Sequence, residues 1–196
     1  QLEDFAKFYP TTIMNPAYYI LPFWVMRMMM LGLYVTGKVP FEMVLIHGLV
    51  RDKDGQKISK SKGNVIDPIV MTDKYGADAL RMALVWGANV DNDTSLSEDS
   101  VRGMRNMANK IWNAARFVQN FSSDSPPNTD YNKTLIEVVK KTTKYLENFK
   151  LNLAAEMVYD KFWHWYCDKI FEKAKAEKIG KQDLQSGLET FLKLLH

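Results

Sequence analysis

At 196 residues the chain can bury a proper core as one large domain or two small ones, and 46% hydrophobic with 25% charged residues excludes disorder throughout. A formal charge of +3 is too small to diagnose a nucleic-acid binder, so local charge placement has to decide. The single cysteine, Cys167, excludes an internal disulfide and fits a reducing compartment; beside Trp165, Tyr166 and Ile170 it reads as a small buried hydrophobe rather than a nucleophile.

The first element in chain order is a helix from Pro22 to Tyr34, rich in Met and Leu, with a proline tolerated in the first turn and Gly37 as a stop. The run Ile20 to Val35 is apolar apart from Arg27. Spanning hydrocarbon takes roughly 20 apolar residues and disfavours a central charge, so a buried helix and no membrane span is the expectation. No cleavable signal pattern opens the chain, and a first residue Gln1 fits a fragment of something longer. Met43 to Val50 then predicts a short buried strand, left at the turn Arg51-Asp52-Lys53-Asp54-Gly55. Asp54-Gly55 supplies the backbone angles of a tight hairpin, so Gln56 to Ile58 returns alongside the strand and the lysines beyond it sit in a loop.

Asp67-Pro68 predicts the cap and first turn of a short helix ending near Gly76, and Asp78 a cap for another running to about Gly87. Ser95 and Glu98 have capping-box spacing and open a long helix toward Phe121. Ser122 to Asp130, with Pro126-Pro127 inside, reads as a linker. Beyond it, Leu135, Val138, Val139, Thr142, Tyr145, Leu146 and Phe149 mark one apolar helix face. A second helix from about Asn152 to Lys178 carries the stripe Met157, Val158, Phe162, Trp165, Tyr166 and Ile170, and Leu184, Leu188, Leu192 and Leu195 mark a third. An antiparallel bundle with part of its stripe unmatched follows.

The chemistry concentrates in Lys57-Ile58-Ser59-Lys60-Ser61-Lys62-Gly63-Asn64. Three ammonium groups, the hydroxyls of Ser59 and Ser61, and a glycine that permits an unusual turn suit a polyphosphate, with Ile58 as an apolar anchor. Composition alone favours a solvated basic turn over a phosphate site, and the exact order of the residues has to decide. On the long helix, Val101, Met104, Ala108, Ile111, Ala115 and Val118 form one face, and Arg102, Arg105, Asn106, Asn109, Asn113, Arg116 and Asn120 the opposite one. Asparagine is a poor helix former, so this polar face reads either as a phosphate and ribose contact or as packing on a neighbouring domain. The run Phe162-Trp163-His164-Trp165-Tyr166 reads as core, with Trp163 and His164 as its exposed members; His164 has no metal-ligand spacing around it.

Lys-Ile-Ser-Lys-Ser resembles the Lys-Met-Ser-Lys-Ser signature of class I aminoacyl-tRNA synthetases, with isoleucine for methionine. Phe23-Trp24-Val25, Arg27-Met28, Thr36-Gly37-Lys38-Val39-Pro40-Phe41, Ile46-His47-Gly48-Leu49-Val50-Arg51-Asp52, Gly63-Asn64 and Asp67-Pro68 are similar in order and spacing to the valine branch of that class. The isoleucine branch usually has leucine where Lys62 stands. Tyr75 to Arg81 resembles the stretch joining catalytic and anticodon-binding regions, and Trp112-Asn113-Ala114-Ala115-Arg116-Phe117 and Phe162 to Tyr166 echo the helical part.

The resemblance implies ATP-dependent activation of valine and its transfer to tRNA in the cytoplasm, with ATP and its Mg as cofactors. Lys57 and Lys60 would act on the phosphates, Ile58, Ser59, Ser61 and Lys62 would complete the ATP site, and Trp24 would wall the amino-acid pocket unless it is an ordinary core aromatic. Arg102, Arg105 and Arg116 would meet the tRNA backbone.

The family's His-x-Gly-His signature and its editing insert are absent, so the missing catalytic and editing parts of a parent chain count among the partners. Asn15 and Tyr19 stand where the family usually carries acids that seat the adenylate, so the isolated chain is expected not to activate valine. The alternatives are a non-catalytic RNA-binding module derived from a synthetase, or an isoleucyl- or leucyl-type fragment. A plain helical scaffold with a solvated loop is a further rival. The expected architecture is mainly α with a small α/β part. A remnant of a Rossmann-like catalytic domain spans 1–66, connecting helices 67–121, a linker 122–130 and an incomplete antiparallel helical bundle 131–196.

Overall fold

The computed structural model describes residues 2–88 and 92–196. The chain forms two compact units, residues 1–58 with 88–95 and residues 59–87 with 96–196.

In the first unit, α1 (Leu2–Phe8) precedes β1 (Thr11–Met14), which pairs in parallel with β2 (Phe41–Val44) in the register Thr11 to Phe41 and Ile13 to Met43. Between them runs one helical stretch: a 3-10 turn (Tyr18–Ile20), a π segment (Leu21–Val25) and α2 (Met26–Thr36). Gly37 ends it at φ +71°, donating its N–H to the Leu33 carbonyl, as its place in the sequence predicts. The helix is longer than expected and it is not buried. Tyr18–Thr36 spans 19 residues of mean hydropathy 1.3, long and apolar enough by composition to cross a membrane, and only 6% of that window is buried. Val25 is covered, whereas Trp24, Met30, Leu31 and Tyr34 face out. The sheet beside it has two strands, too few to cover a helix of this length on its apolar sides.

The strand expected over Met43 to Val50 is divided. β2 closes at Val44, and the chain pairs again only at β3 (Val50–Arg51), with β4 (Thr94–Ser95) as a parallel partner. Changing partners requires the chain to leave the first ladder, so residues 45–49 lie outside any strand, touching Ala17 through an isolated bridge at His47. The hairpin forms as expected: Gly55 takes φ +72°, a conformation that penalises a Cβ, and Arg51 bridges Lys57 in antiparallel fashion.

The second unit is helical. α3 (Pro68–Tyr75) opens with Asp67 accepting the Ile69 N–H at 2.8 Å, as expected, and ends at Gly76. α4 (Ala77–Val85) is capped by Gly76; Asp78 lies inside the first turn, 3.1 Å from Arg81. α5 (Glu98–Asn120) is capped by Ser97 and Ser100 rather than by Ser95 and Glu98. Ser95 is engaged in β4, and Glu98 bonds Lys74 and, at 2.6 Å, the Tyr75 hydroxyl.

α6 (Thr129–Glu147), α7 (Leu151–Asp160), a π segment (Lys161–Ile170), α8 (Phe171–Lys175) and α9 (Lys181–Leu195) complete the bundle with α5. The Ser/Pro stretch before α6 is bonded to the first turn of α9 and to the turn before it: Ser125 Oγ donates to the Glu177 carbonyl, and Asn128 N–H to Asp183 Oδ2, both at 2.8 Å.

Phe162, Tyr166 and Phe191 are fully buried, with Phe162 and Phe191 rings 5.4 Å apart edge to face. Each such aromatic contributes about 1.5–3 kcal/mol through burial. The leucine repeat predicted for α9 holds at Leu184 and Leu188, but Leu192 is 42% exposed and Phe191 takes its place in the core. Cys167 is buried, and burial pushes its thiol up to about 12, which keeps it a protonated hydrophobe. Trp163 is covered on one face by Tyr159, with Lys110 Nζ 4.9 Å from its ring centroid, while His164 is exposed and lies 3.4 Å from Asp168.

Candidate functional site

The lysine segment follows the hairpin. Lys57 sits opposite Arg51 in the antiparallel bridge, and Ile58 is half-buried, in keeping with an apolar anchor. The next residues form a tight turn rather than an open loop. Lys60–Lys62 is a 3-10 turn in which Lys62 N–H reaches the Ser59 carbonyl at 3.2 Å. Ser59 and Ser61 hydroxyls meet at 3.2 Å, and the Ser59 N–H donates to Asn64 Oδ1 at 2.9 Å. Asn64 thereby closes the turn on its own start, a role the sequence did not single out; an asparagine after a glycine that has left the common backbone region was the available signal. Ser61 and Lys62 are exposed. The side chain of Lys60 lies outside the described residues.

Two further groups belong to this region without having been expected from sequence. Asp52 accepts the N–H groups of Asp54 at 3.0 Å and Gln56 at 2.7 Å, bracing the hairpin that precedes Lys57. Asp93, far along the chain, bonds Arg51 and the Leu49 N–H.

Trp24 is 59% exposed in the π segment, which excludes its being an ordinary core aromatic within this chain. Asn15 and Tyr19 are also exposed.

In the second unit, every member of the polar stripe on α5 is exposed: Arg102, Arg105, Asn106, Asn109, Asn113, Arg116 and Asn120. Arg102 pairs with Asp99 at 2.7 Å. The buried side is rotated from the expected one, since Met107 and Ala114 are covered and Ala108 is not. Trp112 stands out at 69% exposure beside the stripe, and Asn113, Arg116, Phe117, Asn120 and Phe121 line a shallow groove of about 370 Å³. Arginines, asparagines and exposed aromatic edges on one helix suit phosphates, ribose hydroxyls and bases.

Residues 1–97 match the family of tRNA synthetases class I (I, L, M and V), and residues 130–196 match the anticodon-binding domain of tRNA ligase. The chain belongs to the class I aminoacyl-tRNA synthetase family. Within that family it is similar to valine–tRNA ligases: 43% identical to that of Solibacter usitatus over 204 residues, and 41% identical to that of Clostridium tetani over 215 residues. These alignments cover 100% and 99% of the chain but 24% of each relative, so the chain spans about a quarter of their length.

The fold recurs in a ternary complex of LeuRS, tRNA and LeuAMS from Agrobacterium radiobacter K84, with a TM-score of 0.76 at 22% identity over 95% of this chain and 26% of that one. It recurs also in Mycobacterium tuberculosis methionyl-tRNA synthetase in complex with methionyl-adenylate, with a TM-score of 0.69 at 19% identity over 97% and 41%.

Proposed function

We propose that the chain is a segment of a cytoplasmic valine–tRNA ligase, in which Lys57–Lys62 binds the phosphates of ATP and α5 docks tRNA. The observation that carries the reading is the closed lysine turn. A merely solvated basic loop has no need of Asn64 to hold Ser59, nor of a 3-10 turn that draws Lys60 and Lys62 into one short arc.

In the reaction proposed, a valine carboxylate oxygen attacks the α-phosphorus of ATP and pyrophosphate departs. A hydroxyl of the tRNA terminal adenosine then attacks the valyl carbonyl and releases AMP. Charge builds on the phosphoryl oxygens in the first step, where Lys57 and Lys60 ammonium groups stabilise it, and Ser59, Ser61, Lys62 and the Ile58 anchor hold the arc around the triphosphate. In this reading Mg is carried by the phosphates of ATP.

The exposed apolar run Tyr18–Thr36 is read as the surface on which the remainder of a catalytic domain packs, with Trp24 turned toward the amino acid; its central Arg27 argues against a lipid environment. Arg102, Arg105 and Arg116 are assigned to the tRNA backbone on the strength of their exposure along one helix.

In the full-length ligase, Lys60→Ala is expected to lower valine-dependent ATP–pyrophosphate exchange by about a hundredfold, as loss of a transition-state charge stabiliser does. Full retention of exchange overturns the phosphate assignment. Asn15 and Tyr19, which offer no carboxylate, favour a second reading as a non-catalytic RNA-binding module. That reading is supported if the parent gives no exchange at all yet retains tRNA binding.

A further inference from the structure

Strand β3 immediately precedes the hairpin that leads to Lys57, and residues distant in sequence hold it. Asp93 accepts the Leu49 N–H through Oδ1 at 2.7 Å and the Arg51 guanidinium through Oδ2. The Leu49 carbonyl accepts the Thr94 N–H at 2.9 Å, and Val50 and Arg51 pair with Thr94 and Ser95. Arg51 also reaches the other way, donating from Nη1 to the Gly55 carbonyl at the hairpin tip at 3.2 Å. One planar guanidinium therefore ties segment 92–95 to the turn itself.

The fit leaves no slack, since a Cβ at Gly48 would run into the Asn92 carbonyl. Side-chain exposures of 31% for Arg51 and 20% for Asp93 place the pair away from full solvent screening. The pair shifts both groups: the Leu49 N–H and then the Arg51 guanidinium hold the Asp93 carboxyl below its usual range, and Asp93 raises Arg51.

We infer that Arg51 is a positioning residue that acts with Asp93: the guanidinium anchors the hairpin to segment 92–95 and so sets where Lys57 stands. The inference rests on the reading that the lysine turn meets the triphosphate. Its physical basis is the rigid fork of arginine, which serves two acceptors on different sides, whereas a lysine ammonium keeps the charge but not the fixed geometry. Placement errors near 1 Å cost reactions of this kind up to about a hundredfold. Loss of Asp93 would free the Leu49 N–H, and loss of Arg51 would free the hairpin tip.

The test uses the full-length ligase with Arg51→Ala, Arg51→Lys, Asp93→Asn, Asp93→Ala and the exchange Arg51→Asp with Asp93→Arg, with Lys60→Ala as reference. Arg51→Ala and Asp93→Asn are expected to lower kcat for ATP–pyrophosphate exchange by about tenfold to a hundredfold with KM for ATP changed less than threefold. Arg51→Lys should recover part of that loss, and the charge exchange should exceed either single variant.

Hydrogen exchange supplies a readout independent of activity: the Leu49 amide, whose acceptor is Asp93, should exchange at least tenfold faster in Asp93→Ala while the amides of α5 and α9 stay unchanged. Should Lys60→Ala abolish exchange while Arg51→Ala and Asp93→Asn leave kcat within twofold, positioning is overturned and the phosphate reading stands. Should Lys60→Ala be silent, the phosphate reading falls and the inference falls with it; an unaltered Leu49 amide removes the anchor itself.

Discussion

Replacing Gly187 by alanine separates local helix preference from packing. In an exposed helix interior, glycine to alanine stabilises by about 1 kcal/mol. At Gly187 in α9 the new Cβ would collide with the Tyr131 hydroxyl and come to 2.8 Å from Tyr166 Cε2 and 3.1 Å from Tyr131 Cζ. Neither ring has room to yield. The Tyr131 hydroxyl donates to the Asp183 carbonyl at 2.8 Å and that of Tyr166 to the Leu184 carbonyl at 2.5 Å, with exposures of 2% and 0%. Burial raises both phenols well above their ordinary range, so each remains a neutral donor.

Overpacking costs about 1–3 kcal/mol and an orphaned buried hydroxyl about 1–3 kcal/mol. Against a gain of about 1 kcal/mol from propensity, the net expectation is a loss of about 1–5 kcal/mol. For a chain of this size that lowers the thermal midpoint by roughly 2–20 °C. Gly103→Ala in α5 is the control, because nothing lies within 4 Å of its Cβ, and it should raise the midpoint by a few degrees. Calorimetry together with near-ultraviolet circular dichroism of the aromatic core measures both. A rise for Gly187→Ala comparable with that of Gly103→Ala would falsify the packing argument.

Thr142 is 1% exposed and its Oγ1 has no partner among the described residues, so Thr142→Val is expected to stabilise by about 1 kcal/mol in denaturant unfolding; a loss of stability would mean that the hydroxyl is satisfied. Lys74 and then Tyr75 hold the Glu98 carboxyl below its ordinary range, so its contribution is complete above the unfolded value and disappears as the pH falls through the lowered folded one. Glu98 raises the Lys74 amine, whose contribution is complete below its unfolded value and lost as the pH rises through the raised one. The thermal midpoint of Glu98→Gln should therefore vary less with pH on the acid side than that of the parent chain, and identical acid limbs would contradict the assignment. Changing Arg102, Arg105 and Arg116 together to alanine in the full-length ligase should weaken tRNA binding and reduce the slope of log affinity against log salt by about two. An unchanged slope would indicate that the stripe packs against protein.

Features set within one turn of chain were legible in the residues. Asp67 and Pro68 start α3, Gly37 stops α2 and Gly55 turns the hairpin, because each acts through its own backbone angles or a bond to a near neighbour. Apolar periodicity found the long helices but misplaced their faces. In α5, Met107 and Ala114 are covered in place of Ala108, and in α9 Phe191 displaces Leu192, since the neighbouring helices choose which of two adjacent apolar residues is enclosed. Within the segment Lys161–Ile170, Phe162, Tyr166 and Ile170 share the buried face at the i, i+4 spacing that the sequence pattern displays.

The residues by themselves determined the helical bundle, the hairpin and a lysine segment matching a family signature, because composition, capping and order are properties of contiguous chain. The tertiary structure alone decided that Ser97 rather than Ser95 caps α5, that the expected strand divides between two partners, and that Asp93 holds Arg51. Each depends on a group distant in sequence, and a hydrogen bond or ion pair of that kind leaves no periodic trace in the chain that forms it.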